Sequence, residues 1–220
     1  MMKFDTISTG VFAVGRITPN GTQLCGTGFA LNKEGLFATA SHVAGENDQG
    51  LCLAFKVLPS INEYQDTSDT LVKCIPCKIH QVDPFHDLAI LKADTTLCSN
   101  IRIGGTDQSL VGDNLSIFGF PHADHGRMVL TQQDTEIGAK ILISASGIKS
   151  KHIVLNIQSR PGQSGSPVFN KSDGKLIGVI VGSYAPGGGG NISLAGVDPH
   201  TLHQTTHAVS AEYLLGMYES

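Results

Sequence analysis

Three short segments set a hydroxyl, an imidazole and a carboxylate where they could act together. Pro161-Gly162-Gln163-Ser164-Gly165-Ser166-Pro167-Val168 places a serine two residues after one glycine and directly before another. Leu36-Phe37-Ala38-Thr39-Ala40-Ser41-His42-Val43 is an apolar run that ends in small residues and then a histidine. His86-Asp87-Leu88-Ala89-Ile90-Leu91 puts an aspartate at the head of an apolar strand. A serine hydroxyl is a poor nucleophile at neutral pH and needs a base with a pKa near 7, the range of histidine. That base needs a carboxylate to fix its tautomer and stabilise the imidazolium. Ser164, His42 and Asp87 are therefore the candidate nucleophile, base and orienting acid. The flanking glycines permit backbone dihedrals closed to other residues. The N–H groups of Gly162 and Ser164 can then converge as an oxyanion hole, with Gln163 projecting elsewhere. Taken singly, each segment has a plainer reading: a Gly/Ser turn, a satisfied histidine, a strand-starting aspartate. Their joint occurrence favours chemistry.

Short β-rich runs separated by turn signals must position these groups. In the first half they are Gly10 to Ile17, Gly26 to Leu31, Leu36 to Ala40, Leu51 to Leu58, Leu71 to Val82 and Asp87 to Lys92. A crossover is expected within Cys98 to Gly112, which gives two halves, 1–105 and 106–220. In the second half Asn114 to Phe120 is a strand, and Arg127 to Ile148 reads as two strands on either side of Gly138. Ile153 to Gln158 follows, and Asp173-Gly174 is a hairpin turn between Val168-Phe169 and Leu176 to Val181. The last segment, His207 to Met217, starts as a strand and ends as a short helix. Many short strands at this spacing fit an all-β barrel or sandwich.

Composition agrees. The 220 residues include 26 glycines and no tryptophan, which favours a turn-rich β protein over a helical one. Net charge is −4 with no basic run, so no nucleic-acid partner is expected. No apolar run is long enough to span a bilayer, so no membrane partner is expected either. The N-terminus has no secretory h-region, which points to a cytoplasmic address. The five cysteines cannot all pair within one chain, and free thiols fit a reducing compartment. Cys74 and Cys77 form a C-x-x-C without a second ligand pair, so neither a metal nor another cofactor is expected.

The order His, Asp, Ser along the chain belongs to the chymotrypsin arrangement. The segments resemble those of trypsin-like peptidases, particularly bacterial HtrA-type proteases and glutamyl endopeptidases. The resemblance rests on Thr39-Ala40-Ser41-His42-Val43, Asp87-Leu88-Ala89-Ile90-Leu91-Lys92 and Pro161 to Val168. Gly26-Thr27-Gly28-Phe29 and Leu176-Ile177-Gly178-Val179 add to it. It implies two six-stranded antiparallel β-barrels of chymotrypsin type with a short C-terminal helix. His42 and Asp87 would come from the first barrel and Ser164 from the second. The implied activity is hydrolysis of a protein or peptide substrate through an acyl-enzyme. Digestive trypsins carry an aspartate before the nucleophile that pairs with a freshly cut N-terminus. This chain has Gln163 there, so that activation is not open to it. No PDZ domain is expected after the protease.

The same resemblance assigns a specificity pocket to Gln158, Ser159, Val181, Gly182, Ser183 and His207. His207 would favour an acidic or amide side chain before the cut bond, or else merely narrow the pocket for small apolar residues. Arg160 would attract a substrate carboxylate, cover the oxyanion turn at rest, or stay solvated. The Gly187–Asn191 run is expected to be a loop that can reorganise. Two other readings share the fold: a protease held inactive until an activating protein partner binds, and a catalytically silent binding module.

Overall fold

The computed structural model describes residues 9–184 and 205–218. The expected Gly187–Asn191 loop lies outside them. Six strands close a first barrel in the order β1-β2-β3-β6-β5-β4. They are β1 (Val11–Thr18), β2 (Gly21–Ala30), β3 (Leu36–Ala40), β4 (Leu51–Phe55), β5 (Lys73–Asp83) and β6 (Leu88–Ala93). Six more close a second barrel in the order β10-β11-β12-β9-β8-β7. They are β7 (Asn114–Gly119), β8 (Thr131–Ala145), β9 (Ile148–Leu155), β10 (Pro167–Asn170), β11 (Leu176–Tyr184) and β12 (Thr205–Ser210). Every pairing within the barrels is antiparallel. Closure leaves no barrel edge for another strand to template on. One helical turn, α1 (Ser41–Ala44), follows β3, and a second, α2 (Leu215–Tyr218), ends the described chain after a 3-10 turn at Ala211–Leu214.

The reading of Gly138 as a break between two strands is corrected here. β8 runs through it, and the register against β9 slips between Ile137 and Ala139. Gly138 is thus the site of a β-bulge, where a Cβ would come within 2.3 Å of the Asn156 side-chain oxygen. The chain reverses later, at Ser146-Gly147. Both residues have positive φ, 51° and 82°, as a tight two-residue hairpin requires.

The cores follow from strand alternation. Phe12, Val14, Phe37, Leu53 and Leu91 form one buried cluster from the first barrel. Ile117, Ile153, Leu155, Val168 and Ile180 form another from the second. A third draws on both barrels, with Phe29, Leu88 and Ile90 packed alongside Phe118, Phe169 and Leu214.

Hydrogen bonds also cross between the barrels, and Thr27 makes three of them. Its N–H donates to the Ser164 carbonyl at 2.8 Å. Its hydroxyl donates to the Gly162 carbonyl at 2.8 Å and accepts from the Phe120 N–H at 3.2 Å. Its own carbonyl accepts from the Thr39 hydroxyl at 2.6 Å. The residue is fully buried. Nearby, the His86 ring lies flat on Tyr213 with centroids 3.6 Å apart. His86 is also bonded to Asp83 at 2.6 Å through Nδ1. His152, on β9, is buried, and its Nδ1 has no partner among the described residues. Burial, together with His207 and His86 close by, pushes His152 down to about 4.

Two outcomes are expected. Thr27→Val removes a hydroxyl that satisfies one buried carbonyl and one buried amide. It should cost about 2 kcal/mol in urea unfolding, with most of that recovered in Thr27→Ser. For His152, the unfolded chain binds a proton from pH 6.5 downward that the folded chain refuses until about pH 4. Stability is then full above pH 6.5 and falls as the pH drops through that window. His152→Leu should flatten the thermal midpoint between pH 6.5 and 5, a difference on the order of 1 kcal/mol at the acid end.

Candidate active site

His42 and Asp87 meet at the open end of the first barrel. β3 and β6 pair side by side, with Ala40 opposite Leu88. His42 therefore leaves the end of one strand where Asp87 enters the other. The His42 Nδ1 lies 2.6 Å from Asp87 Oδ2. The other carboxylate oxygen accepts from the His42 amide at 3.0 Å and from the Ser41 hydroxyl at 2.7 Å. The Asp87 carbonyl accepts from the Ser41 N–H at 3.0 Å. Asp87 has a left-handed backbone, φ 53°, a region that aspartate tolerates better than most residues. Four contacts with Ser41 and His42 hold it there.

Burial alone pushes the Asp87 carboxyl up. The hydrogen bonds from the His42 ring, the Ser41 hydroxyl and the His42 amide outweigh it, and the net shift is down. The group is thus a carboxylate at neutral pH and can only accept. In the neutral imidazole the proton then lies on Nδ1, facing the carboxylate, and Nε2 keeps the lone pair. The His42 side chain is about half exposed, at 48%.

Ser164 stands in a turn held from all sides. Gly162 and Gly165 have φ of 89° and 86°, the left-handed region that the sequence assigned to them. A Cβ on Gly165 would come within 2.0 Å of the Thr27 carbonyl, and one on Gly162 within 2.4 Å of the Phe120 carbonyl. The amides of this turn divide into two sets. Gln163 N–H donates to Arg160 at 3.1 Å, Gly165 N–H to Ile180 at 2.7 Å and Ser166 N–H to Gln163 at 3.0 Å. The N–H groups of Gly162 and Ser164 have no partner among the described residues. They are the two amides expected to form the oxyanion hole. The Ser164 hydroxyl is half-buried and makes no hydrogen bond to the His42 ring in this structure. Gly26 brings the two segments together. A Cβ there would lie 2.6 Å from the Val43 side chain, next to His42, and 2.9 Å from the Ser164 carbonyl.

The stretches assigned to the pocket also converge. His207 is directly paired with Gly182, and Thr206 with Ser183. The Thr206 hydroxyl accepts from the Ser159 N–H at 2.7 Å and donates to the Ile157 carbonyl at 2.6 Å. This pins the segment containing Gln158 and Ser159 to β12. The space over Gly182 is open to 4 Å. Val181 is partly buried and packs on the hydrophobic cores. Arg160 is exposed.

Three residues with a part in the site were not singled out as such. Thr27 was seen only as part of Gly26-Thr27-Gly28-Phe29, and Ser41 only as the neighbour of His42. Gln133, bonded to Gln163, gave no signal, because its partner is far along the chain. All five cysteines are free, and burial pushes Cys52 and Cys77 up to about 12. No group of His, Cys, Asp and Glu among the described residues is arranged to hold a metal ion.

The chain is similar to known proteins over most of its length. Among curated proteins, a probable periplasmic serine endoprotease DegP-like of Pseudomonas fulva is 26% identical over 171 residues, covering 76% of this chain and 31% of that protein. One from Chlamydia muridarum is 28% identical over 184 residues, covering 80% and 32%. The chain thus spans about a third of the length of these relatives. The expectation of a cytoplasmic address finds no support in them, since both are named as periplasmic. No helix among the described residues is long and apolar enough to cross a membrane. The MamO protease domain from Magnetospirillum magneticum superposes with a TM-score of 0.68 at 16% identity, covering 97% of this chain and 98% of that one. The active form of the Rv3671c protease from M. tuberculosis gives 0.67 at 18%, covering 96% and 79%. These share the double-barrel fold. A trypsin-like peptidase domain model matches residues 26–179, which include His42, Asp87 and Ser164 and more than half of the sequence. The chain therefore belongs to the trypsin-like peptidase family.

Proposed function

We propose that the chain is a serine endopeptidase, with Ser164 as nucleophile, His42 as general base and Asp87 as the group that orients it. One observation carries the reading. A histidine held by an ionised carboxylate stands on a segment packed against the serine turn, in which the amides of Gly162 and of Ser164 itself have no partner among the described residues. A substrate carbonyl placed over that turn would receive Ser164 Oγ as His42 Nε2 takes the hydroxyl proton. Negative charge would develop on the carbonyl oxygen, facing the Gly162 and Ser164 N–H groups. The imidazolium would then protonate the leaving amine, and water would release the acyl group by the same steps. Oγ must close on Nε2 for this, and such contacts commonly tighten only when substrate binds.

The substrate is a protein or peptide segment whose side chain before the cut bond enters the space over Gly182. His207 lies beside that space and is held down by burial, hence uncharged at neutral pH. A neutral imidazole offers hydrogen bonds without charge, which suits an amide or a small side chain better than a carboxylate.

Ser164→Ala should abolish peptide hydrolysis and leave the unfolding curve unchanged. A fluorophosphonate should add to Ser164 in the wild type, read by peptide mass. Asp87→Asn should lower kcat by about 10⁴-fold through the wrong imidazole tautomer. A wild-type chain that neither labels nor cleaves any member of a peptide library would end the peptidase reading and favour a binding module.

A further inference from the structure

The turn that carries Ser164 is held from within the second barrel by two glutamines. Gln163 is 1% exposed. Its side-chain Oε1 accepts from the Arg160 N–H at 2.6 Å, which closes the loop from Arg160 to Gln163 together with the Gln163 N–H to Arg160 carbonyl bond. Its Nε2 donates to Gln133 Oε1. The amide orientations are mutually fixed. A backbone N–H needs an acceptor, so the Gln163 oxygen must face Arg160 and its nitrogen must face Gln133. Gln133 must then present its oxygen. Gln133 sits on β8 opposite Ile117 of β7, so its backbone is part of the barrel wall. Three residues earlier, the Gln65 side chain grips both polar groups of Leu130, at 2.8 Å to its N–H and 2.8 Å to its carbonyl. The acceptor therefore stands on a strand tied down at its start.

We propose that Gln133 is a positioning residue for the oxyanion turn, acting through Gln163. This rests on the peptidase reading and deepens it. Removing the Gln133 oxygen leaves a buried amide nitrogen without its acceptor, and such a group carries its full desolvation cost. The turn can relieve that cost only by moving Gln163, and Gln163 lies between the two amides that face the oxyanion. Both partners are neutral, so the pair forms without an ionised group and without a newly made chain terminus. Gln133 reaches the turn through Gln163, so its loss should act on the transition state more than on ground-state binding.

The test uses three variants of the full chain, with kcat and KM measured on a cleaved peptide. Gln133→Leu should lower kcat about ten- to a hundredfold and leave KM within about twofold. Gln133→Glu keeps an acceptor oxygen and should hold kcat within about threefold of the wild type. Adding Gln133→Leu to Gln163→Leu should cost nothing beyond Gln163→Leu alone, since the two act as one unit. A wild-type kcat in Gln133→Leu, equal losses in Gln133→Leu and Gln133→Glu, or losses that multiply in the double variant would each overturn the proposal. Hydrogen exchange of residues 158–165 separates this from the peptidase reading. If Ser164 fails to label with fluorophosphonate in the wild type, that reading falls. Faster exchange in Gln133→Leu but not in Gln133→Glu still supports the positioning role, and unchanged exchange in Gln133→Leu overturns it.

Discussion

Two carbonyls of the nucleophile turn, those of Gly162 and Ser164, are hydrogen-bonded to one threonine of the other barrel. The rest of the site depends on that join. Acyl-transfer chemistry requires the base and the nucleophile to be placed to within a fraction of an ångström. In the proposed reading, His42 and Ser164 fill these roles from separate barrels, each with its own core. Apolar packing between barrels is strong but has little directional preference, so it sets contact and not register. Thr27 supplies register. It occupies both carbonyls on the side of the turn facing the first barrel, while the Gly162 and Ser164 amides have no partner among the described residues.

The charged half of the site follows a similar economy. Asp87 is only partly buried, yet four contacts with Ser41 and His42 surround it. Three of these are donors to its carboxylate, which keeps it ionised against the cost of burial. The same donors fix where the charge sits, with one oxygen taken by Ser41 and the His42 amide and the other by the ring. An imidazole oriented in this way needs no reorganisation when it becomes charged. The helical turn α1 has a part in this. It coils the chain from Ser41 through His42, and backbone and side chain of His42 both reach the one carboxylate.

Much of this was readable from residues close together in sequence. The strand ending at Ala40, the aspartate before Leu88 and the glycines around Ser164 all work through their immediate neighbours. Their local dihedrals and apolar patterns carry the information. Gly165 and Gly162 adopt the left-handed backbone that their position implied. Gly138 misled, because a glycine within an alternating run fits a strand break and a bulge equally well. Only pairing with β9 decides between them. The Gln163–Gln133 contact and the Thr27 bonds join residues that are remote in the chain. Neither glutamine nor threonine has a local signature for such a role. The expectation that Gln163 projects away from the oxyanion hole does not say where it goes, and it is among the most buried polar residues described.

Gly26 and Gly165 bear on how the molecule can move. At both, the backbone of one barrel approaches the other so closely that even a methyl group would collide with it. Packed interfaces of this kind resist bending, and a rotation about this seam would have to part hydrogen bonds that have no solvent replacement. The join between the barrels is therefore better pictured as a fixed jaw than as a hinge. Motion that leaves this seam intact is confined to side chains and surface segments away from it.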